Sequence, residues 1–482
     1  MSDIIDEVAS IDQFHFTKGK AASDRLVPDA YSLEADLSPG HSRNIAGRIG
    51  SDDHPISGPR AEKISASPST SKPRKKREAE TKLPASADDM TDAWHAQRFV
   101  DRYVGRLRFC PIWMKWLEYD GRRWHKDNEL ISQRLALQAV RLLREQLKGM
   151  KRQANHEEFI AAIRRAESNR SIAATIKLAQ SDERITVKPQ DFDQDNFILN
   201  CTNGTLDLKT GLLREHDPTD NLTKMTPVRY VDSADCPTWM RFLDRIMAGD
   251  QEMIDFLQRA LGYSLTGEVK EECMFVLYGL GQNGKSKLLD AVRTIAGDYG
   301  GVSESHMLTL KIHSEHPTGI ANLAGKRLVV ISEPNECRFD EAIVKLLTGG
   351  DMITSRKLYK DFSEFMPTHK FFVMSNHKPQ VRELSVAYWR RMNLVEFAVT
   401  IPPEERDNDL PGKLMSEAEG ILAWLVQGCL RWQEIGLAQP AKVLEATKVY
   451  RDEMDKIGGF LEARCTEGLG LRVHSSDLWS AY

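Results

Sequence analysis

The sequence predicts an α/β protein whose centre is a parallel sheet carrying a phosphate-binding loop at its carboxyl edge. Three observations predict it. The octet GLGQNGKS, residues 279–286, fits the phosphate-loop pattern G-x-x-x-x-G-K-[ST]. It follows a short apolar run (274–278) that reads as a buried strand and precedes an amphipathic stretch (287–293) that reads as a helix. Two further apolar runs downstream, 328–332 and 369–375, end in Glu333 and Asn376, as core strands of such a sheet would.

The loop is the element with the clearest chemistry. Strand, glycine loop and helix together aim successive backbone N–H groups and a helix N-terminus at a polyphosphate. Gly279, Gln282, Asn283, Gly284, Lys285, Ser286 and Lys287 are the expected nucleotide contacts. Lys285 is expected to neutralise the β- and γ-phosphates, and the Ser286 hydroxyl to hold Mg²⁺. ATP and Mg²⁺ are the ligands this pattern calls for.

Glu333 lies about 45 residues beyond the loop, at the end of the second apolar run. An acid there orders Mg²⁺ through water and polarises the attacking water. Glu336 follows three residues later and is a candidate assistant. Asn376 closes the third run and is expected to sense the γ-phosphate or hold the attacking water. Next comes Tyr388-Trp389-Arg390-Arg391. An arginine supplied by a neighbouring subunit stabilises charge on a transferred phosphoryl group, and Arg390 is the first choice with Arg391 the alternative.

Between the second and third strands, residues 353–362 alternate as a strand and then break, which suits a hairpin. Arg356, Lys357 and Lys360 interleave there with Tyr359 and Phe362, a pattern fitting an element that tracks single-stranded DNA. A solvated edge with buried aromatics is the other reading of the same residues.

The remainder divides by composition. Residues 1–88 are rich in Ser, Pro and charge, bury little apolar surface and are expected to be mostly disordered. Their basic run, Lys72-Pro73-Arg74-Lys75-Lys76-Arg77, reads as a solvated tail or a phosphate-binding arm. Residues 89–235 form a mixed α/β region with Trp113, Trp116 and Trp124 as core, a helix over 131–147 and a hairpin signalled by Asn203-Gly204. Residues 236–265 are a helical linker, 266–400 the loop-bearing core and 401–482 a helical end.

Of 482 residues, 41% are hydrophobic and 28% charged, ordinary values for a globular chain of this size. No apolar run approaches a membrane span, and Met1-Ser2-Asp3-Ile4-Ile5-Asp6 is not a signal pattern. Seven cysteines are scattered singly, which predicts no disulfide scaffold or zinc ribbon and suits a reducing cytoplasm. The net charge of −4 neither predicts nor excludes nucleic acid, because local patches set affinity.

The three motifs fall within about 110 residues, and that compact order resembles superfamily 3 helicases. The phrases TGGDMITSRKLYKDFSEFMPT, SNHKP and AYWRR closely resemble the phage and plasmid primase–helicase family, related to the poxvirus primase–helicase. WLEYDGRRW and LNCTNGTLDLKTGLLREHDP resemble the region that precedes the helicase in that family, so the likeness runs from about residue 90 to the end. It implies an AAA+ ATPase core and a homohexameric ring unwinding DNA 3′-to-5′, with the hairpin on single-stranded DNA in the channel. It also implies a replicative role for a phage, prophage or other mobile element in a bacterial cytoplasm, without membrane attachment. The segment before residue 90 is too short and polar for a primase domain, so priming is expected from a separate primase or polymerase. The chain ends in Trp479-Ser480-Ala481-Tyr482, inside what resembles a winged-helix region, which is expected to be truncated. Two rival functions remain at this point: a ring ATPase that remodels DNA or protein without unwinding, and a non-catalytic origin-binding scaffold.

Overall fold

The computed structural model describes residues 83–149, 155–309, 318–332, 338–356, 362–381, 385–466 and 471–482. The expected tail with its basic run, residues 1–82, therefore lies outside the described residues, as do Glu333, Glu336, Lys357, Tyr359 and Lys360. Residues 78–465 form one compact unit, and the helix α15 (Ser475–Ala481) belongs to a second.

The first unit opens earlier than composition suggests, because Ala87 is already buried in its core. α1 (Asp92–Tyr103) starts where the Thr91 hydroxyl accepts from the Trp94 N–H at 3.2 Å. β1 (Leu107–Cys110), β2 (Lys115–Tyr119) and β3 (Trp124–Lys126) form an antiparallel sheet. α2 (Ile131–Lys148), α3 (His156–Ala166) and α4 (Asn169–Ala179) follow. Leu135, Val140, Leu143 and Leu147 recur at helical spacing on α2 and meet Phe99, Phe159 and Ile163 in one core. Trp116 and Trp124 are buried as expected, while half-buried Trp113 stacks on Phe192 at 5.7 Å and has the Lys126 ammonium 4.8 Å from its ring centre.

β4 (Ile198–Cys201), β5 (Gly204–Asp207) and β6 (Leu212–Arg214) make a second antiparallel sheet. The hairpin exists, but its turn is Thr202-Asn203 and Gly204 already pairs with Cys201. The glycine serves a close approach: a Cβ there would lie 2.4 Å from the Arg214 carbonyl of β6. The expected helical linker is two helices, α5 (Pro237–Ile246) and α6 (Gln251–Tyr263). Ala248 and Gly249 break them with φ of 55° and 76°, and Asp250 caps α6. Leu199 and Leu206 of the second sheet share a core with Trp239, Phe256 and the central sheet, so apolar packing is continuous across residue 235.

The central sheet holds β7 (Met274–Tyr278), β8 (Gly300–Ser303), β9 (Leu328–Ser332), β12 (Lys370–Ser375) and β13 (Met392–Glu396). Its order is β13-β7-β12-β9-β8, with every pairing parallel. Both faces are covered, which is why these strands read as unbroken apolar runs. Phe275, Leu277, Val330 and Phe372 face one core with α7 (Lys285–Ala296). Met274, Val276, Ile331 and Val373 face another, shared with α9 (Glu341–Thr348). The short α8 (Thr318–Ala321) lies between β8 and β9 in sequence. The predicted hairpin is present as β10 (Ile353–Arg356) paired antiparallel with β11 (Phe362–Phe365). α10 (Val386–Trp389) leads into β13, and α11 (Leu410–Ser416), α12 (Ala418–Ile435), α13 (Ala441–Met454) and α14 (Lys456–Arg464) complete the unit. Among the described residues after β13 there are helices and no strand, so a winged-helix wing remains an expectation. No described helix is long and apolar enough to cross a membrane.

Candidate functional site

The carboxyl edge of the sheet collects the motifs by register. Ser375 pairs with Tyr278, so Asn376 and Gly279, the next residues of β12 and β7, leave neighbouring strands at the same level. Ser332, the last residue of β9, pairs with Met374. β9 therefore ends in the same row, and Glu333 is outside the described residues. The chain runs from β7 to the far edge, returns through β9 and β12, and then crosses to β13. The β7 end is thus a switch point of the kind where α/β sheets take ligands.

The loop is held by backbone that only small or special residues tolerate. Gly279, Gly281, Gln282 and Gly284 have φ of 152°, 91°, 53° and 86°. A Cβ on Gly279 would come within 2.4 Å of the Phe397 carbonyl, and one on Gly284 within 2.6 Å of Ile246 Cγ2. The Asn283 amide donates to that same Phe397 carbonyl at 3.2 Å, the Ile401 N–H to the Gln282 carbonyl at 2.9 Å, and Arg406 to the Gln282 side chain. These bonds fix the loop to the segment after β13.

Lys285 is the first residue of α7 and is 5% exposed. Its ammonium donates to the Gly279 carbonyl at 2.7 Å and to Asn283 Oδ1 at 3.1 Å, so it lies folded inside the loop's curve. Ser286 and Lys287 are exposed on the first helical turn, where an N-terminus favours an anion. Asn376 is exposed. A cleft of 460 Å³ adjoins the loop, with Ile246, Met253, Tyr278, Leu394, Glu396 and Val443 in its walls. Tyr278 and Glu396, register partners on neighbouring strands, both line it, and burial followed by that carboxylate drives the phenol's pKa upward.

Arg390 and Arg391 are elsewhere. The Met274 N–H donates to the Arg391 carbonyl at 2.8 Å, which puts both arginines at the amino edge of β7 and β13. From there to Gly279 is six residues of strand, roughly 20 Å at 3.3 Å per residue. They do not join the loop of their own chain. Arg391 is mostly buried and donates to the Ala387 carbonyl at 2.6 Å and to Glu272 at 2.9 Å. The Arg390 side chain, 59% exposed, donates to the same Glu272 oxygen at 2.6 Å. Glu272 was invisible to motif reading, since it is one acid in the polar stretch Glu268-Val269-Lys270-Glu271-Glu272. At the hairpin, the backbone of Arg356 pairs with Phe362 at the tip end of β10, and Lys357, Tyr359 and Lys360 lie outside the described residues. Among the described residues no cluster of His, Cys, Asp and Glu could hold a metal ion by itself.

Residues 96–248 match the family model "D5 N terminal like", and residues 277–391 match a second model, a family of unknown function, DUF5906. "Putative helicase L207/L206" of Acanthamoeba polyphaga mimivirus is 27% identical over 296 residues, 56% of this chain and 31% of that protein. "Putative helicase 022R" of Frog virus 3 is 25% identical over 252 residues, 47% of this chain and 26% of its own length. The match therefore spans about a third or less of these relatives. The solved NrS-1 C terminal region, in its A form without ligand, aligns with a TM-score of 0.48 at 12% identity, covering 78% of this chain and 80% of that one. A D5 N-terminal-like region leading into the motif-bearing sheet, together with relatives named as putative helicases, supports the likeness to the primase–helicase family that the motifs resemble.

Proposed function

We propose that the chain is an ATP-driven DNA helicase of a mobile element, working as a homohexameric ring that moves 3′-to-5′ on single-stranded DNA. The observation that carries this reading is the register at the carboxyl edge, which ends β7, β9 and β12 in one row and sets Asn376 beside Gly279. Lys285, freed from the Gly279 carbonyl, would take the β- and γ-phosphates, and Ser286 would hold Mg²⁺. That Mg²⁺, when bound, neutralises charge developing on the transferred phosphoryl group. Glu333 would accept the proton of the attacking water, and Asn376 would orient that water. The cleft beside Tyr278 would receive the nucleoside. Arg390, about 20 Å from its own loop along the strands, would serve a neighbour's.

The test is strand separation on forked DNA with a 3′ or a 5′ single-stranded tail, with the oligomer mass measured in the same buffer. Wild type is expected to unwind only the 3′-tailed fork. Lys285→Ala is expected to lose ATP turnover, and Glu333→Gln to bind ATP without hydrolysing it. Near wild-type turnover by Glu333→Gln would remove that acid from the mechanism. DNA-stimulated hydrolysis without strand separation would replace unwinding by remodelling.

A further inference from the structure

The carboxylate of Glu272 does two things at the amino edge of the sheet. It accepts from Arg391, which the Ala387 carbonyl also holds, and from Arg390, whose side chain is otherwise largely in solvent. The turn that carries Glu272 is built on both sides. The Trp432 indole N–H donates to Glu271 at 2.8 Å, and the Lys270 ammonium lies 4.3 Å from the centre of the same indole. The Asn196 amide donates to Glu268 at 3.1 Å, and the Glu272 N–H closes the turn on the Val269 carbonyl at 2.9 Å. Glu272 itself has φ of 44°, a backbone conformation an ordinary residue keeps only when its surroundings impose it.

Two guanidinium groups on one carboxylate oxygen would repel each other without it. Arg391, anchored twice, fixes the carboxylate, and the carboxylate fixes Arg390. A guanidinium carries five N–H donors, so one engaged with Glu272 still presents others in a set direction. The geometry points to Glu272 as the positioning residue that holds the Arg390 guanidinium ready for the phosphate of an adjoining subunit. This inference rests on the reading of Arg390 as an arginine acting in trans. Without the carboxylate, Arg390 samples many rotamers, and that ordering must be supplied in each turnover, which lowers kcat while leaving ATP binding at the loop intact.

Arg390→Ala, Glu272→Ala and Glu272→Gln are compared for steady-state ATP hydrolysis by the full chain with Mg-ATP, with folding checked by thermal melting. Glu272→Ala is expected to lose about tenfold in kcat with KM changed less than about twofold. Glu272→Gln keeps an oxygen acceptor in place and is expected to recover most of that loss. Mixing Glu272→Ala with Lys285→Ala subunits should raise turnover above the weighted sum of the two. In the mixed interfaces the first supplies an intact loop, and the second an intact Glu272–Arg390 pair. A defect confined to the subunit's own folding would not be rescued. If Glu272→Ala fails to fold, the same mixing is done with Glu272→Gln and Glu272→Lys, the reversed charge expected to be the poorer. Arg390→Ala with wild-type turnover would sink the trans reading and this inference with it. Impaired Arg390→Ala beside wild-type kcat in the Glu272 variants, or absence of rescue in co-assembled mixtures, would overturn the role of Glu272 alone.

Discussion

At the scale of single residues, the folded structure assigns roles by what each polar atom can reach. Lys285 is buried against carbonyls of its own loop, whereas Ser286 and Lys287 beside it are in water. Gly284 joins a left-handed backbone to contact with Phe242 and Ile246, so the loop conformation and the α5 packing select the same residue. His369 is a different case. It is 2% exposed beside Phe371, and burial, aided by the Lys370 charge, lowers its pKa from 6.5 to about 4, against a partial offset from the Leu347 backbone. Between pH 6.5 and 4 the unfolded chain takes up this proton and the folded chain does not, so stability falls as pH falls through that window. Going from pH 7 to pH 5, this one group should cost roughly 1–2 kcal/mol. Urea denaturation at both pH values checks it: His369→Phe should show a smaller loss than wild type, and equal losses would mean that His369 does not titrate as described.

At the scale of elements, period and punctuation carry most of the reading. The strands of the central sheet are apolar throughout because both faces are covered, and α2 shows its period plainly. The turn between β4 and β5 sits one residue earlier than the Asn-Gly signal suggests, because Gly204 is needed where β6 crosses close. The linker breaks at Ala248-Gly249, which helical periodicity alone does not register. The β10–β11 pairing places Arg356 at the end of a hairpin arm, so Lys357 to Lys360 fall in its connection. If that connection grips a DNA backbone, Lys360→Ala should weaken single-stranded DNA binding, lower the salt slope by about one unit and stop unwinding. Basal ATP hydrolysis should survive. Filter binding across a salt series alongside unwinding reads this out, and normal unwinding by Lys360→Ala would remove the hairpin from the DNA path.

At the scale of the whole molecule, the main consequence is the separation of Arg390 from the loop by the length of the sheet. A single chain cannot close that distance without dismantling β7 and β13, so under the proposed role Arg390 acts on the nucleotide of another copy. Arg390→Ala is therefore expected to bind ATP and hydrolyse it at least about 10³-fold more slowly, the low end of what such an arginine contributes. Mixed with Lys285→Ala it should regain part of its turnover, because some interfaces then pair an intact loop with an intact arginine. Hydrolysis assayed across mixing ratios, with co-assembly verified by mass, decides this. No recovery at any ratio would mean a site contained in one subunit.

The sequence alone determined the loop, the strand–loop–helix around it, the hairpin and the amide at the end of β12. Those features are local, and their spacing is written in consecutive residues. Only the tertiary structure decided the strand order that sets Asn376 beside Gly279, the placement of Arg390 and Arg391 at the opposite edge, and their common partner Glu272. It also decided that Lys370, an ionisable residue inside an apolar run, is fully buried, with its amine donating to the carbonyls of Thr266, Glu268 and Thr368 while burial pushes its pKa well down. The physical reason is common to all of these. Pairing between strands and the partners of a buried polar group depend on residues about 100 positions apart, and no local periodicity encodes which distant segment arrives.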